Sequence, residues 1–217
     1  MTLSDLLRAL NLLEAPASTP GRSRLRGRLP RLILMTDPRR TPDPVAAAAN
    51  LPRGAIVILR HYGDRRRWEL ARALVRFGRP RGIRIVIAGD PRLALRVGAD
   101  GVHLPEFMAR RGFPSWALWR RPGWIVTAAA HSWAAVVRAK RAFADAVLLS
   151  PVFPTESRPD APLLGPIAFA RLSRRSPLPV YALGGITPAR ARRLAGCRAA
   201  GIAGIRGLAA GVREIAN

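Results

Sequence analysis

The sequence predicts an α/β chain, a compact (β/α)₈ TIM barrel with an N-terminal helical extension, and three observations carry that prediction. Short apolar runs alternate with helix-like segments eight times between Arg31 and the C-terminus, the rhythm that builds a parallel sheet covered by helices. Runs such as Ala146-Val147-Leu148-Leu149 lack polar alternation, as strands covered on both faces do. Glycine or polar residues follow several of these runs, and a closed barrel gathers all such strand ends at one mouth. An open doubly wound sheet is the alternative for the same alternation.

Taken in order, the chain begins with Leu3, Leu6, Leu7, Leu10 and Leu13 at helical spacing, with Thr2 or Ser4 as N-cap, which predicts an amphipathic helix over residues 1–15. Residues 15–30 are rich in Pro, Gly, Ser and Arg and read as a linker. Residues 1–30 therefore form an extension, and residues 31–217 the barrel. The polar face of the helix is poor in basic residues, which favours docking on the body over lying on a membrane. Within the body, strands are expected at 32–35, 55–59, 83–88, 101–104, 124–127, 146–149, 180–183 and 202–205. The helices between them are expected at 44–50, 67–77, 93–97, 132–143, 166–174, 188–195 and 208–215, with a less regular stretch from 105 to 121.

Composition sets bounds on function. With 217 residues, 49% of them hydrophobic, there is ample material for one core. The single cysteine, Cys197, excludes an intramolecular disulfide and a cysteine-based metal cluster. No run of 18 apolar residues and no cleavable apolar leader is present, so neither a membrane span nor secretion is expected, and the cytoplasm is the default location. The net charge of +24 raises nucleic acid as a partner. All 37 basic residues but Lys140 are arginines, however, and they are scattered along the chain. No helix-turn-helix, zinc or RNP-type signature accompanies them, so specific nucleic-acid binding is not expected.

The chemistry-bearing residues lie just beyond strand ends. After residues 146–149 the chain enters a loop with four prolines, Pro151, Pro154, Pro159 and Pro162, in which Thr155, Ser157 and Arg158 offer two hydroxyls and a guanidinium to an anion. Gly184-Gly185-Ile186-Thr187 and Gly204-Ile205-Arg206-Gly207 precede helix-like segments, where glycine lets backbone N–H groups approach a phosphate. Other strand ends carry Thr36 and Asp37; Arg60, His61 and Tyr62; Asp90; His103 and Glu106; and His131 with Ser132. Asp37 and Asp90 also suit turn or helix caps, and His103, inside an apolar strand, suits a satisfied core histidine. His131 stands after a strand and before a helix, where an imidazole can move protons at the mouth. No histidine and carboxylate pair stands at metal spacing, so a protein-only metal cage is not expected.

Six motifs then carry a resemblance: Leu34-Met35-Thr36-Asp37, Val97-Gly98-Ala99-Asp100-Gly101-Val102-His103-Leu104, Ala130-His131-Ser132, Ser150-Pro151-Val152-Phe153-Pro154-Thr155, Gly184-Gly185-Ile186-Thr187 and the terminal Gly-Ile-Arg-Gly. In order and spacing they resemble the family of thiamine phosphate synthase and the related thiazole tautomerase (TenI), whose fold is a (β/α)₈ barrel. The resemblance implies that Thr155, Ser157, Gly185, Ile205 and Arg206 hold a thiazole phosphate, with Arg206 standing where a serine is usual. It gives Arg158 the place of the loop's usual lysine, and leaves Arg60 from the pyrimidine-diphosphate motif, whose other positions read Ile58 and Tyr62. The expected Asn-Asp pair falls on Ala88-Gly89, with Asp90 one position late. The second magnesium aspartate falls on Met108, with Pro105 and Glu106 replacing Gly and Gln, and Ala129 replaces a serine. These departures rank a tautomerase first, with His131 catalytic and no cofactor required. The alternative is a synthase that joins the thiazole phosphate to hydroxymethylpyrimidine diphosphate, with magnesium recruited through Asp90 and Glu106. A degenerate barrel that only binds a phosphate ligand is a third reading. The expected partner in each case is a small phosphorylated molecule, and a homo-oligomer is compatible with the sequence.

Overall fold

Eight parallel strands close on themselves, each hydrogen-bonded to the next, and the last returns to pair with the first. The computed structural model describes Asp5, Arg8, Leu10, Leu13 and residues 29–110, 120–156 and 159–205. The strands are β1 (Leu32–Met35), β2 (Ile56–Leu59), β3 (Arg84–Ala88), β4 (Gly101–Leu104), β5 (Ile125–Ala130), β6 (Ala146–Leu149), β7 (Val180–Leu183) and β8 (Gly201–Gly204). The helices between them are α1 (Pro44–Ala48), α2 (Arg67–Arg81), α3 (Pro91–Val97), α4 (Glu106–Ala109), α5 (Trp133–Arg141), α6 (Gly165–Arg175) and α7 (Pro188–Arg192). The closed barrel is the predicted fold, and the open sheet is set aside.

Strand periodicity divides the core in two. Ile33, Met35, Ile56, Ile58, Val86, Ala88, Ile125, Ala146, Leu148, Tyr181 and Ala203 pack together inside the barrel. Their neighbours Leu34, Val57, Leu59, Ile87, Val126, Val147, Leu149 and Ile202 face the helices. A period of two within strands this short requires both faces to be apolar, which is why the sequence shows no alternation there. Short polar residues start several helices: Asp43, Asp90, Ser132 and Thr187 each accept from a backbone N–H two or three residues on, supplying acceptors that the first turn otherwise lacks.

Of the helix expected over residues 1–15, only Asp5, Arg8, Leu10 and Leu13 are among the described residues. Leu10 and Leu13 are buried, and Arg31 Nη2 donates to the carbonyl oxygens of both at 2.5 Å. Several boundaries differ from the sequence expectation. Helix α2 runs to Arg81 through Pro80, which lies in its last turn, and ends at Gly82 in the left-handed region. Strand β5 continues to Ala130 because Ala128, Ala129 and Ala130 pair with Val147, Leu148 and Leu149. The stretch expected to be irregular after residue 104 opens with the short helix α4. The helix expected at 208–215 lies outside the described residues. Among the described residues no helix is long and apolar enough to cross a membrane.

Candidate active site

The inward parity of the strands runs on past their C-terminal ends and builds a cavity of about 610 Å³. Two residues beyond Ile58 stands Arg60, beyond Ala129 His131, beyond Leu148 Ser150, beyond Leu183 Gly185 and beyond Ala203 Ile205, and all five line that cavity. Met35, His103 and Pro105 continue the lining from β1 and β4. One strand period thus accounts for these eight residues of the lining.

One wall is made of backbone. The loop after β6 is stitched to the end of β7 by Val152 N–H to Leu183 O (2.9 Å) and Phe153 N–H to Gly184 O (3.1 Å). Gly184 and Gly185 both have positive φ, and a Cβ on Gly185 would stand 2.3 Å from Pro154 O, so the loops touch at a place where only glycine fits. Among the described residues the amide N–H groups of Gly185, Ile186 and Ile205 reach no protein acceptor, and all three residues line the cavity. Amides at a concave surface that no protein group takes up can donate to a bound anion. Thr155 lines the same wall, as does Arg190, a residue the sequence reading did not single out. Ser157, Arg158 and Arg206, the other expected anion ligands, lie outside the described residues.

Beyond β5 stands a histidine with two fixed neighbours. His131 Nδ1 is 2.6 Å from the backbone oxygen of Ser150 and 3.3 Å from its hydroxyl. A ring nitrogen that close to a carbonyl must carry a proton and donate it, so in the neutral ring Nε2 is the basic atom. Nε2 lies 4.0 Å from Glu106 Oε2. The other oxygen, Oε1, accepts from Arg110 Nη2 and Arg138 Nη2, each at 2.9 Å. Burial would raise the Glu106 carboxyl, but the two guanidinium hydrogen bonds and the His131 ring outweigh it and hold the group below the usual carboxylate range. The pair Glu106 and Arg110 is readable as an i,i+4 spacing on a helix. Arg138 lies 32 residues from Glu106, and no local signal announces it.

The β1 and β2 ends bring Arg40, Arg60 and Tyr62 to the cavity. Arg67 lies behind them, with its guanidinium carbon 5.3 Å from the Tyr62 ring centre, bonded to Ala88 O and 3.8 Å from Asp90 Oδ2. Asp90 Oδ1 accepts from Leu93 N–H at 2.9 Å and the residue is absent from the cavity lining. Asp90 is therefore a helix cap paired with an arginine, the plainer of its two readings. Asp37 caps its own turn, accepting from the amides of Arg39 and Arg40. The magnesium implied by the resemblance needs several oxygen donors converging on one point. Asp90 faces Arg67, Glu106 is shared by two arginines, and among the described residues no three His, Cys, Asp or Glu side chains converge, so these donors do not fit the ion.

The remaining histidines are buried. His103 Nδ1 bonds Thr127 Oγ1 at 2.9 Å, and burial, with the Arg60 charge, pushes its pKa down to about 3. It stays neutral at the cavity floor. His61 bonds Thr36 Oγ1 at 2.9 Å, and burial likewise lowers its proton affinity. Ser132, the other residue named beside His131, caps α5 through Ala135 N–H at 3.2 Å.

Comparison with known proteins gives this geometry a family. Residues 32–208 match the model described as thiamine monophosphate synthase. The chain is 41% identical over 117 residues to the thiamine-phosphate synthase of Methanoculleus marisnigri, covering 51% of this chain and 52% of that one. It is 32% identical over 184 residues to the thiamine-phosphate synthase of Parasynechococcus marenigrum, covering 80% and 50%. The chain spans about half the length of the curated relatives it matches. Among solved structures, thiamine phosphate pyrophosphorylase from Pyrococcus furiosus superposes with a TM-score of 0.66 at 24% identity, covering 89% of this chain and all of the other, a likeness of fold. The match over nearly the whole barrel, residues 32–208, shows that this chain belongs to the thiamine monophosphate synthase family.

Proposed function

We propose that this chain is an enzyme of thiamine phosphate formation that takes a phosphorylated thiazole, its phosphate seated against Gly185, Ile186 and Ile205. The observation that carries the proposal is the set of three cavity-lining amides with no protein acceptor among the described residues. The names of the relatives favour a thiamine-phosphate synthase, reversing the order in which the sequence alone ranked the two reactions. In that reaction the thiazole nitrogen attacks the pyrimidine methylene, a C–N bond forms, and the C–O bond to diphosphate breaks. Arg40 and Arg60 are cavity-lining cations beyond the ends of β1 and β2, and they can meet the charge of the departing group.

A second reading, an isomerase acting on a thiazole phosphate carboxylate, is favoured by one specific observation. His131 is held by Ser150 O so that Nε2 is its basic atom, beside a carboxylate that arginines already occupy. A proton shift within a bound aromatic acid needs a group that accepts and returns a proton near neutral pH, which neutral imidazole does. In this reading Nε2 takes the proton, Glu106 faces the imidazolium so formed, and Nε2 returns the proton to another ring position. The test is to supply thiazole phosphate with hydroxymethylpyrimidine diphosphate, and separately the thiazole phosphate carboxylate alone, each with magnesium or with a chelator. Coupling supports the synthase. Isomerisation that persists in chelator, without coupling, supports the second reading, and a protein inactive in every arm is a binding barrel.

A further inference from the structure

We propose that Arg190 is a positioning residue of the anion wall, presetting the amide N–H of Ile186 toward the cavity and fixing the Pro154–Thr155 peptide beside it before any ligand arrives. The inference rests on the phosphate reading of that wall. Arg190 Nη1 donates to Gly185 O at 3.0 Å and to Pro154 O at 3.3 Å, so one guanidinium nitrogen ties the loop after β6 to the loop after β7. The consequence follows from peptide geometry. A trans peptide is planar, and its C=O and N–H point in opposite directions. Anchoring Gly185 O therefore fixes the direction of the Ile186 N–H, and anchoring Pro154 O fixes that of Thr155, each pointing away from Nη1. Both residues line the cavity.

The guanidinium is itself held in place. Arg190 N–H donates to Thr187 Oγ1 at 3.2 Å on the first turn of α7, and the guanidinium carbon lies 5.7 Å from the Phe153 ring centre, as does that of Arg193. Phe153 belongs to the loop being anchored, so ring, carbonyls and guanidinium form one closed unit. The arrangement suits a phosphomonoester, a compact anion with several acceptor oxygens that preset amides can meet at once. A lysine keeps the charge, but its ammonium sits on a flexible stem and lacks the rigid plane that fixes Nη1 between the two carbonyls and beside the Phe153 ring.

The test uses the full chain and inorganic phosphate, with affinity read by calorimetry and folding checked by thermal melts. Arg190→Ala should weaken phosphate about tenfold or more, on the scale of a charge-assisted hydrogen-bond network. The Ile186 and Thr155 amide resonances should move in the ligand-free protein. Arg190→Lys should recover no more than about threefold of the loss. Full recovery with lysine would reduce the residue to a point charge and overturn the proposal, as would Arg190→Ala binding like wild type. Gly185→Ala separates the two levels of the argument. Wild-type protein that binds no phosphate overturns the phosphate reading and the Arg190 role together, whereas binding that Gly185→Ala abolishes and Arg190→Ala leaves intact overturns the Arg190 role alone.

Discussion

Replacing Gly185 by alanine adds one methyl group, and the structure gives the cost in two separable parts. The first is conformational: Gly185 has φ +63°, a region that costs an L-residue roughly 1–2 kcal/mol. The second is steric. The new Cβ would stand 2.3 Å from Pro154 O and 3.0 Å from Phe153 C and Cβ, roughly 1 Å inside van der Waals contact with backbone that cannot rotate away. Forcing such loops apart costs about 1–3 kcal/mol, for a total of about 2–5 kcal/mol. Gly54 supplies the control, since it too has positive φ, at +87°, but a Cβ there meets nothing within 4 Å. Gly54→Ala should show only the first part, with a Tm lowered by roughly 2–4 °C per kcal/mol for a chain of this size. Denaturant melts of both variants give the difference, and calorimetry with phosphate gives its functional reading. Moving the wall by about 1 Å takes its amides out of hydrogen-bond range, so Gly185→Ala should lose at least about tenfold in affinity while Gly54→Ala keeps it. If the two variants are equally stable and both bind phosphate as wild type does, the wall is not the anion site.

The other predictions concern the histidines and the charge. His131→Ala should lower isomerisation by about 10²-fold or more, the scale of a lost general acid–base group, while phosphate affinity stays within about twofold; a rate left untouched refutes the role of Nε2. His103, neutral and buried with its pKa lowered to about 3, contributes stability that is present above the unfolded value near 6.5 and is lost as pH falls toward 3. Its limiting slope is about 1.4 kcal/mol per pH unit. His61 acts with the same sign, so the clean measurement is the difference between wild type and His103→Gln in denaturant melts from about pH 6.5 to 4; parallel curves contradict it. With a net charge of +24, DNA should bind without sequence preference and be released steeply as salt rises to about 0.2 M; sequence-selective binding that survives there would argue for a nucleic-acid role.

What the sequence made legible follows the range of the forces involved. The strands were readable because a wall covered on both sides must be apolar at every position, and several cavity-lining residues because strand parity carries from Leu183 to Gly185 and from Ala129 to His131. Asp90 was readable as a cap because Asp before Pro91 suits a helix start. The end of β5 was missed because Ala128-Ala129-Ala130 carries no strand propensity of its own and is extended through pairing with β6. The continuation of α2 was missed for the opposite reason, a Pro80 that reads as a breaker yet falls where few carbonyls remain to be bonded. Arg138 and Arg190 were invisible as site residues. Each acts on groups brought near by closure of the barrel, 32 and 36 residues away in the chain, and each looks in sequence like one more arginine among many.

That abundance bears on the two kinds of binding group the mouth presents, carboxylates and backbone amides. The chain has 37 basic residues and 13 acidic ones, so a carboxylate at the mouth meets guanidinium groups on most sides. Asp90 faces Arg67, and Glu106 is shared between Arg110 and Arg138. A carboxylate that balances arginines offers little net negative charge to a divalent cation, so a site built on carboxylates is eroded by the same composition that sets the charge. A site built on backbone amides is not. The donors of Gly185, Ile186 and Ile205 belong to the main chain, their directions are set by φ, ψ and the contact of two loops, and extra arginine nearby adds to their attraction for a phosphate. The backbone wall therefore persists wherever its glycines, its loop geometry and the Arg190 tie persist, whereas a carboxylate site for a cation needs side chains kept clear of guanidinium groups, which Asp90 and Glu106 are not.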